Sequence, residues 1–433
     1  MPQTIKKGFN FDEAILMAKF SQRVYDIFQK DDGSIDDLEI RDIYNSMYRT
    51  EEWKIVYTFR NDDRNVRGFV VKKDGANQYT IVWRGSVITS LGSIELTDFV
   101  HDFNSELIPY EDSADKKVRI TKGYWLACDS VKDELLMFFK ILTTKKIEEQ
   151  DLKKLAGQDF DEKYALASAI ASAGGIVFGQ DFEEAVRSIL SQALDEFNFE
   201  KLELKLQQVI QSYNFDTGGS STSDQIDIYL TGHSLGGNMT ILFAPLFKRF
   251  LSRIRGLDFR IKIYTIGSTK SGNKNFIEFY NNYIGDGFSY RVENPLDPIV
   301  QLPFSAPFPL NILAANGLRI GDIYLSECGW VGIPHTVFGL GSGAGLSVDF
   351  GGALQIPGGI PFPHSYDTYV ELLEEDKKRW QELWRPIHNF LGNSMQELLE
   401  EQKNDLTANY KKQIQEFKQE LDELKNEIKA LNH

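Results

Sequence analysis

Cysteine is scarce in this chain of 433 residues, which contains only Cys128 and Cys328. Two thiols this far apart in sequence indicate neither a disulfide framework nor a zinc site, and two ordinary thiols are favoured. Clusters of Lys and Arg are also missing, and the formal net charge is −15. Nucleic-acid binding is therefore not expected, because it depends on cations that displace counterions from phosphates. Simple electrostatic attachment to anionic lipid is disfavoured for the same reason.

A continuous membrane-spanning run is missing as well. Residues 298–318 and 328–348 have no Asp, Glu, Lys or Arg, but prolines break the first run and glycines break the second. The small residues at 164–180 favour a packed helix. The first residues lack the apolar core of a signal peptide, so the sequence predicts a cytoplasmic protein, with peripheral membrane association or non-classical export left open.

What the chain does contain is a serine between glycines, in the stretch Gly232-His233-Ser234-Leu235-Gly236-Gly237. A run rich in β-formers, residues 226–231, precedes it, and the apolar run 238–245 follows it. This context predicts a nucleophile elbow, in which a strand turns sharply into a helix and the serine Oγ projects into a cleft. The alternative is a glycine-rich turn without a catalytic role.

A second stretch, Arg84-Gly85-Ser86, ends another β-rich run. In serine hydrolases that have a nucleophile elbow, one oxyanion donor is the amide after the nucleophile, and the other comes from the loop after an early strand. The Leu235 N–H and the Ser86 N–H are therefore the predicted donors, with a plain turn as the alternative for Ser86. The mostly uncharged residues 87–97 are interpreted either as a lid over the cleft or as a buried loop.

Predicted helices and strands are interleaved along the chain. The spacing of apolar residues predicts a helix over residues 11–25, and three β-rich runs at 53–59, 68–71 and 78–83 predict an antiparallel meander that feeds a larger sheet. Further strands are expected at 259–267 and 288–293. The sequence thus predicts an α/β-hydrolase central sheet with helices on both faces and the site at the carboxyl ends of the strands.

Residues 144–223 interrupt this pattern with helical sequence of mixed charge and a polar linker at 216–223. We interpret the segment as a helical insertion. It either caps the site or forms a purely structural helical pair, and the sequence favours neither.

The remaining triad candidates follow from their order along the chain. Asp297 lies just past a predicted strand and is the candidate acid, with an ordinary turn aspartate as the alternative. The order Ser, Asp, His requires a base after Asp297, and four histidines qualify. His364 is preferred, His335 is the second choice, and surface or core roles are expected for His388 and His433.

Several ordered motifs together resemble the class 3 lipases, the fungal triacylglycerol lipase group within the α/β-hydrolases. These motifs are Trp83-Arg84-Gly85-Ser86, residues 232–237, Tyr264-Thr265-Ile266-Gly267, residues 290–303 and His364-Ser365-Tyr366. The resemblance covers roughly residues 11–373.

This resemblance implies roles for individual residues. It implies that Ser234 is the nucleophile, His364 the base and Asp297 the acid, with Ser86 and Leu235 in the oxyanion hole. It also implies that Asp102 steadies the oxyanion-hole hydroxyl.

The tail carries a separate pattern, because apolar residues recur there at alternating spacings of four and three. They are Tyr410, Ile414, Phe417, Leu421, Leu424, Ile428 and Leu431. We predict a catalytic domain at 1–390 and a C-terminal amphipathic helix at 391–433. This helix forms a coiled coil that makes a homo-oligomer, or it docks on the catalytic body or on a partner.

The expected activity is hydrolysis of lipid carboxylic esters through an acyl-enzyme, without a metal or organic cofactor. Rival interpretations are a phospholipase or galactolipase, an esterase of soluble esters, and a non-catalytic interaction protein on a hydrolase scaffold. The expected ligand is a lipid or ester substrate, with peripheral membrane contact left open.

Overall fold

The computed structural model of the protein describes the central sheet, most of the helices that cover it, and shorter pieces of the remaining chain. The described residues are 5–28, 37–48, 52–85, 106–147, 151, 160–196, 205–206, 208–209, 225–285, 287–294, 296–297, 299–301, 319–320, 323–324, 333–336, 349–350, 354–355, 365–384, 412 and 415.

Helices and strands alternate through this part of the chain. The helices are α1 (Phe11–Phe28), α2 (Asp37–Met47), α3 (Lys122–Thr144), α4 (Phe160–Phe178), α5 (Gln180–Glu196), α6 (Leu235–Ser252), α7 (Lys274–Ile284) and α8 (Tyr366–Arg379), with a 3₁₀ turn at Ile299–Gln301 and a π-helical turn at Trp380–Trp384. The strands are β1 (Trp53–Asn61), β2 (Val66–Lys73), β3 (Gln78–Trp83), β4 (Leu107–Pro109), β5 (Arg119–Thr121), β6 (Ile226–His233), β7 (Phe259–Ile266), β8 (Ser289–Glu293), β9 (Arg319–Ile320), β10 (Ile323–Tyr324), β11 (Ile333–Thr336), β12 (Asp349–Phe350) and β13 (Leu354–Gln355).

The main sheet has the strand order β1-β2-β3-β6-β7-β8-β11. β1, β2 and β3 pair in an antiparallel way, as the sequence predicts for a meander. From β3 onward every pairing is parallel, and the connections from β3 to β6, from β6 to β7 and from β7 to β8 each contain at least one helix. The carboxyl ends of β3, β6, β7 and β8 therefore meet at one edge, which is where the site was expected.

Side chains alternate between two cores, one on each face of the sheet. On β6, Ile228 and Leu230 belong to the core shared with α3, α4, α6 and α7, whereas Tyr229 belongs to the core shared with α1, α2 and α8. Strands buried on both faces read as continuous β-rich runs, which is why these runs were readable in the sequence. The predicted α/β architecture with helices on both faces is confirmed.

Within the 144–223 segment, α4 packs against α3 and the edge strand β1, and α5 packs on α4. The Ser and Ala residues of α4, such as Ala169 and Ser172, are buried at this contact, and Ser172 Oγ accepts a hydrogen bond of 2.9 Å from Arg187 on α5. Arg41 of α2 contacts Glu183 of α5 at 2.5 Å. Since β1 lies three strand positions from β6, these helices act as a packing layer, and a capping role for the segment stays a prediction.

The chain divides by its contacts into residues 1–373 and residues 374–433. The predicted boundary at 390 stays a prediction, and the predicted coiled coil lies outside the described residues except for Lys412 and Gln415. Among the described helices, none combines the length and apolar character that a bilayer crossing requires.

Candidate active site

Ser234 stands at the sharp turn between β6 and α6. Its backbone angles are φ 57° and ψ −125°. This conformation costs free energy for any residue except glycine, so the backbone of Ser234 is strained. Two backbone hydrogen bonds hold the turn, from Ser234 N–H to the Ile266 carbonyl and from Gly237 N–H to the Ser234 carbonyl, each 3.0 Å long. The predicted strand, turn and helix around this serine are confirmed.

The glycines of the elbow are required by close approach between backbones. A Cβ placed on Gly232 would collide with the backbone of Gly236, and a Cβ on Gly236 would collide with the Trp83 carbonyl at the end of β3. β3, β6 and α6 therefore cross with no room for a side chain. Any larger residue would push the elbow away from the end of β3.

The end of β3 lies directly beside the serine. Trp83 pairs with Gly232, so Gly85 comes level with Ser234, and a Cβ on Gly85 would lie 3.0 Å from the Ser234 Cβ. Leu235 begins α6, and the first N–H groups of a helix have no acceptor within the helix. Ser86 follows Gly85 but lies outside the described residues, as does Asp102. The predicted oxyanion hole of Ser86 and Leu235 thus stays a prediction.

Asp297 follows β8 at the same edge of the sheet and is fully buried. Both oxygens of its carboxylate accept hydrogen bonds: Oδ1 accepts from the Ile299 N–H at 2.8 Å, and Oδ2 accepts from the Tyr369 hydroxyl at 2.8 Å. An ordinary turn aspartate is usually exposed, whereas this one is buried and held by partners on two elements. This environment suits a carboxylate that must stay in one orientation.

Comparisons with known proteins address the family of this chain. Residues 81–306, more than half of the chain, match the family model of class 3 lipases. This chain belongs to the class 3 lipase family. It is a carboxylic ester hydrolase that acts on lipid esters. The resemblance stated from the sequence motifs is confirmed.

Solved structures give weaker likenesses to this class 3 lipase. The lipase from Rhizopus microsporus var. chinensis is 14% identical, with 70% of this chain and 73% of that chain covered and a TM-score of 0.35. The Rhizomucor miehei triacylglyceride lipase is 18% identical over 69% and 77%, with a TM-score of 0.37. The N225Q mutant of MDLA from Penicillium cyclopium is 12% identical over 83% and 96%, with a TM-score of 0.40. None of the curated proteins matches the sequence.

The two candidate bases of this lipase differ in what the structure describes. His364 lies outside the described residues and stays a prediction. His335 lies on β11, where its ring stacks on Phe9 at 3.9 Å between centroids and meets Phe11 edge-on. β11 is three strand positions from β6, which puts the two strands about 14 Å apart. His335 is thus a packing residue rather than a base for Ser234.

Tyr369 is a residue of the site that sequence reasoning missed. Its hydroxyl donates to Asp297 and accepts a hydrogen bond of 3.1 Å from the Asn294 N–H. Its ring covers Gly267, where a Cβ would come within 2.8 Å of the ring. Burial, followed by the Asp297 carboxylate, raises the pKa of Tyr369, so the hydroxyl keeps the proton that it donates. Its position five residues after His364 was the only available signal.

The described residues contain no group of three or more His, Cys, Asp or Glu side chains that could hold a metal ion. Cys128 is a buried free thiol on α3, and burial raises its pKa. A buried protonated thiol is a poor nucleophile, so this cysteine is a packing residue, as expected from the sequence.

Proposed function

We propose that this class 3 lipase cleaves lipid carboxylic esters through a Ser234, His364 and Asp297 triad. The strained backbone of Ser234 between β6 and α6 is the observation that carries the proposal. Such strain persists only where the surrounding structure enforces it, and it is typical of nucleophile elbows. The buried, hydrogen-bonded Asp297 at the same edge of the sheet adds support.

In this mechanism His364 takes the proton of Ser234 Oγ as that oxygen attacks the ester carbonyl. The Leu235 and Ser86 N–H groups stabilise the oxyanion, and Asp102 supports the oxyanion-hole hydroxyl. His364 then gives the proton to the leaving alcohol. Water activated by the same histidine hydrolyses the acyl-enzyme. Asp297 orients the imidazole and stabilises its charged form.

Two features proposed from the sequence alone concern how lipid reaches the serine. Residues 87–97 form a lid that opens at a lipid surface, so the enzyme makes peripheral membrane contact from the cytoplasm. The C-terminal helix at 391–433 forms a homo-oligomer through a coiled coil. Sedimentation of a chain that ends near Asn393 tests the second feature, and an unchanged oligomeric state would contradict it.

The decisive experiment is labelling with a fluorophosphonate probe, which reacts with an activated serine. We expect a single labelled site at Ser234, and Ser234→Ala loses both the label and p-nitrophenyl ester turnover, by about 10⁶-fold in kcat. Ser252→Ala is the matched control, because Ser252 lies at the far end of the same helix and its hydroxyl only contacts the Lys248 carbonyl at 2.7 Å.

Two results would decide against the proposal. Retained turnover in a folded Ser234→Ala variant would exclude this nucleophile, and an unlabelled wild-type protein would favour the non-catalytic interaction protein. Turnover of emulsified triacylglycerol, phospholipid, galactolipid and monomeric ester then identifies the substrate class.

A further inference from the structure

His233, the residue before the nucleophile, is buried in an aromatic cluster. Its ring lies 5.7 Å from the ring of Tyr25, 6.1 Å from that of Tyr366 and 6.0 Å from that of Tyr369, measured between centroids. Tyr25 belongs to α1, whereas the other two tyrosines belong to α8. The elbow is therefore fastened through one side chain to two helices.

The Tyr25 hydroxyl connects this cluster to the end of β3. It lies 3.0 Å from His233 Nδ1. It also lies against the Gly85 backbone, because a Cβ on Gly85 would collide with it. The Tyr25 ring is held by stacking on Tyr366 at 4.8 Å between centroids. One hydroxyl thus touches both chain segments that meet at Ser234.

The protonation state of the Tyr25 hydroxyl bears on its contact with His233. Burial raises the pKa of Tyr25, and the Arg84 guanidinium and a hydrogen bond with the Gly85 backbone oppose part of that rise. The hydroxyl therefore remains protonated at neutral pH. The protonated hydroxyl is available as a donor to His233 Nδ1, 3.0 Å away.

We propose that Tyr25 is a positioning residue that keeps the Gly85 end of β3 aligned with the Ser234 elbow. The inference rests on the proposed function, since the residue after Gly85 and Leu235 are its two oxyanion donors. These donors come from different segments, and both must point at one oxygen atom. The contacts of the Tyr25 hydroxyl with the Gly85 backbone and with His233 Nδ1 set the distance between those segments.

An oxyanion hole whose two donors are misaligned binds the substrate ground state as before but stabilises the transition state less well. Misplacement by about 1 Å costs up to about 100-fold in rate, and loss of a donor costs about 10²–10³-fold. Loss of the Tyr25 hydroxyl leaves the donors present but less well aligned. We therefore expect a loss of about tenfold in kcat with little change in KM.

Tyr25→Phe tests this role, because it removes the hydroxyl and keeps the stacked ring. Tyr280→Phe is the matched control: Tyr280 is also fully buried, and its hydroxyl forms one side-chain hydrogen bond, 2.9 Å long, with Ser289 Oγ. We expect Tyr25→Phe alone to lower kcat and to raise the inhibition constant of an alkyl boronic acid, a tetrahedral mimic, by a similar factor. Binding of an unreactive alkyl ether analogue should not change. Thermal unfolding of both variants separates these effects from lost stability.

The other end of the hydrogen bond gives a second test. The side-chain amide of asparagine can replace His233 Nδ1 as the hydrogen-bond partner of the Tyr25 hydroxyl, whereas phenylalanine supplies a ring without such a partner. We expect His233→Asn to keep most of the wild-type kcat and His233→Phe to lose about as much as Tyr25→Phe.

The outcomes separate this inference from the proposed function. If wild-type Ser234 is labelled and Tyr25→Phe matches Tyr280→Phe in kcat and boronic acid inhibition, Tyr25 is only a packing residue. Equal kcat in the two His233 variants would also overturn the positioning role. If Ser234 is not labelled in the wild-type protein, the proposed function itself fails.

Discussion

Both faces of the central sheet bury aromatic rings, but the rings near the site lie on one of them. On the face covered by α3, α4 and α6, residues such as Phe139 and Phe247 pack ring against ring at 4.8 Å between centroids. On the face covered by α1 and α8, tyrosine hydroxyls reach charged or catalytic groups, as Tyr369 does at Asp297. On the first face the Tyr57 hydroxyl also reaches a carboxylate, that of Glu134, but this contact joins β1 to α3. The first face therefore supplies mainly packing, whereas the second face contacts the site.

A buried ion pair on the second face shows the same difference. Lys262 on β7 is almost fully buried, and its Nζ lies 2.5 Å from Glu13 Oε2 on α1. The same carboxylate accepts a hydrogen bond of 2.8 Å from Tyr264. α1 is thus fixed to the sheet by directional contacts, which apolar packing alone would not give. α1, which carries Tyr25, is therefore held in one register relative to the elbow.

The largest expected effect on stability tests this comparison on the face covered by α3, α4 and α6. Phe139→Ala removes a fully buried ring from α3 and should lower the free energy of unfolding by about 3–5 kcal/mol. The kcat of the folded variant should stay near the wild-type value, because the rings that Phe139 packs on, those of Tyr79, Phe138 and Phe247, have no role in the proposed site. Phe20→Ala on α1 is the matched change on the other face, and it should lose similar stability and also activity. Denaturant unfolding with ester assays measures both, and equal kcat losses would contradict the division between faces.

A smaller effect is expected from Tyr369→Phe on the face covered by α1 and α8. The change removes the O–H that donates to Asp297 Oδ2, and a hydrogen bond to a charged group contributes about 1.5–3 kcal/mol. We expect kcat to fall about tenfold with KM nearly constant, since about 1.4 kcal/mol is tenfold in rate. Tyr110→Phe is the control, because its buried hydroxyl donates only to the Leu242 carbonyl, at 2.9 Å. Equal losses of kcat in both variants would show that the Tyr369 hydroxyl contributes to stability alone.

The smallest effect concerns the pH dependence of stability at the contact between α1 and α8. Burial raises the pKa of Asp367, the hydrogen bond from Gln22 lowers it, and the nearby Asp26 and Glu371 raise it, with a net increase above 3.8. The Asp367 carboxyl therefore binds its proton more tightly in the folded state than in the unfolded state. Its contribution to stability is complete below 3.8 and is lost as pH rises through the folded-state pKa. Asp367→Asn lacks this loss, so its stability relative to wild type should increase over that window. Urea midpoints at several pH values measure this, and parallel curves would contradict the assignment.

The sequence predicted the parts of the fold that follow from local pattern. The meander, the parallel strands and the elbow were readable because β-rich runs, turn residues and glycines act on their immediate neighbours. The role of α4 and α5 was left open, since an amphipathic helix does not reveal which surface covers it. His335 was a weaker second candidate for the base, and its stacking on Phe9 together with the distance of β11 from β6 assigns it to packing.

The sequence by itself determined the family, the ester chemistry and the position of the candidate nucleophile, because order along the chain and spacing within motifs carry that information. The tertiary structure alone decided which groups stand behind that serine. Tyr25 and His233 are 208 residues apart and Tyr369 and Asp297 are 72 apart, so no local pattern connects them. Each pair meets because the sheet brings the ends of distant strands to one edge and two helices pack across them. The physical reason is that a hydrogen bond depends on distance in space, whereas a motif records only distance along the chain.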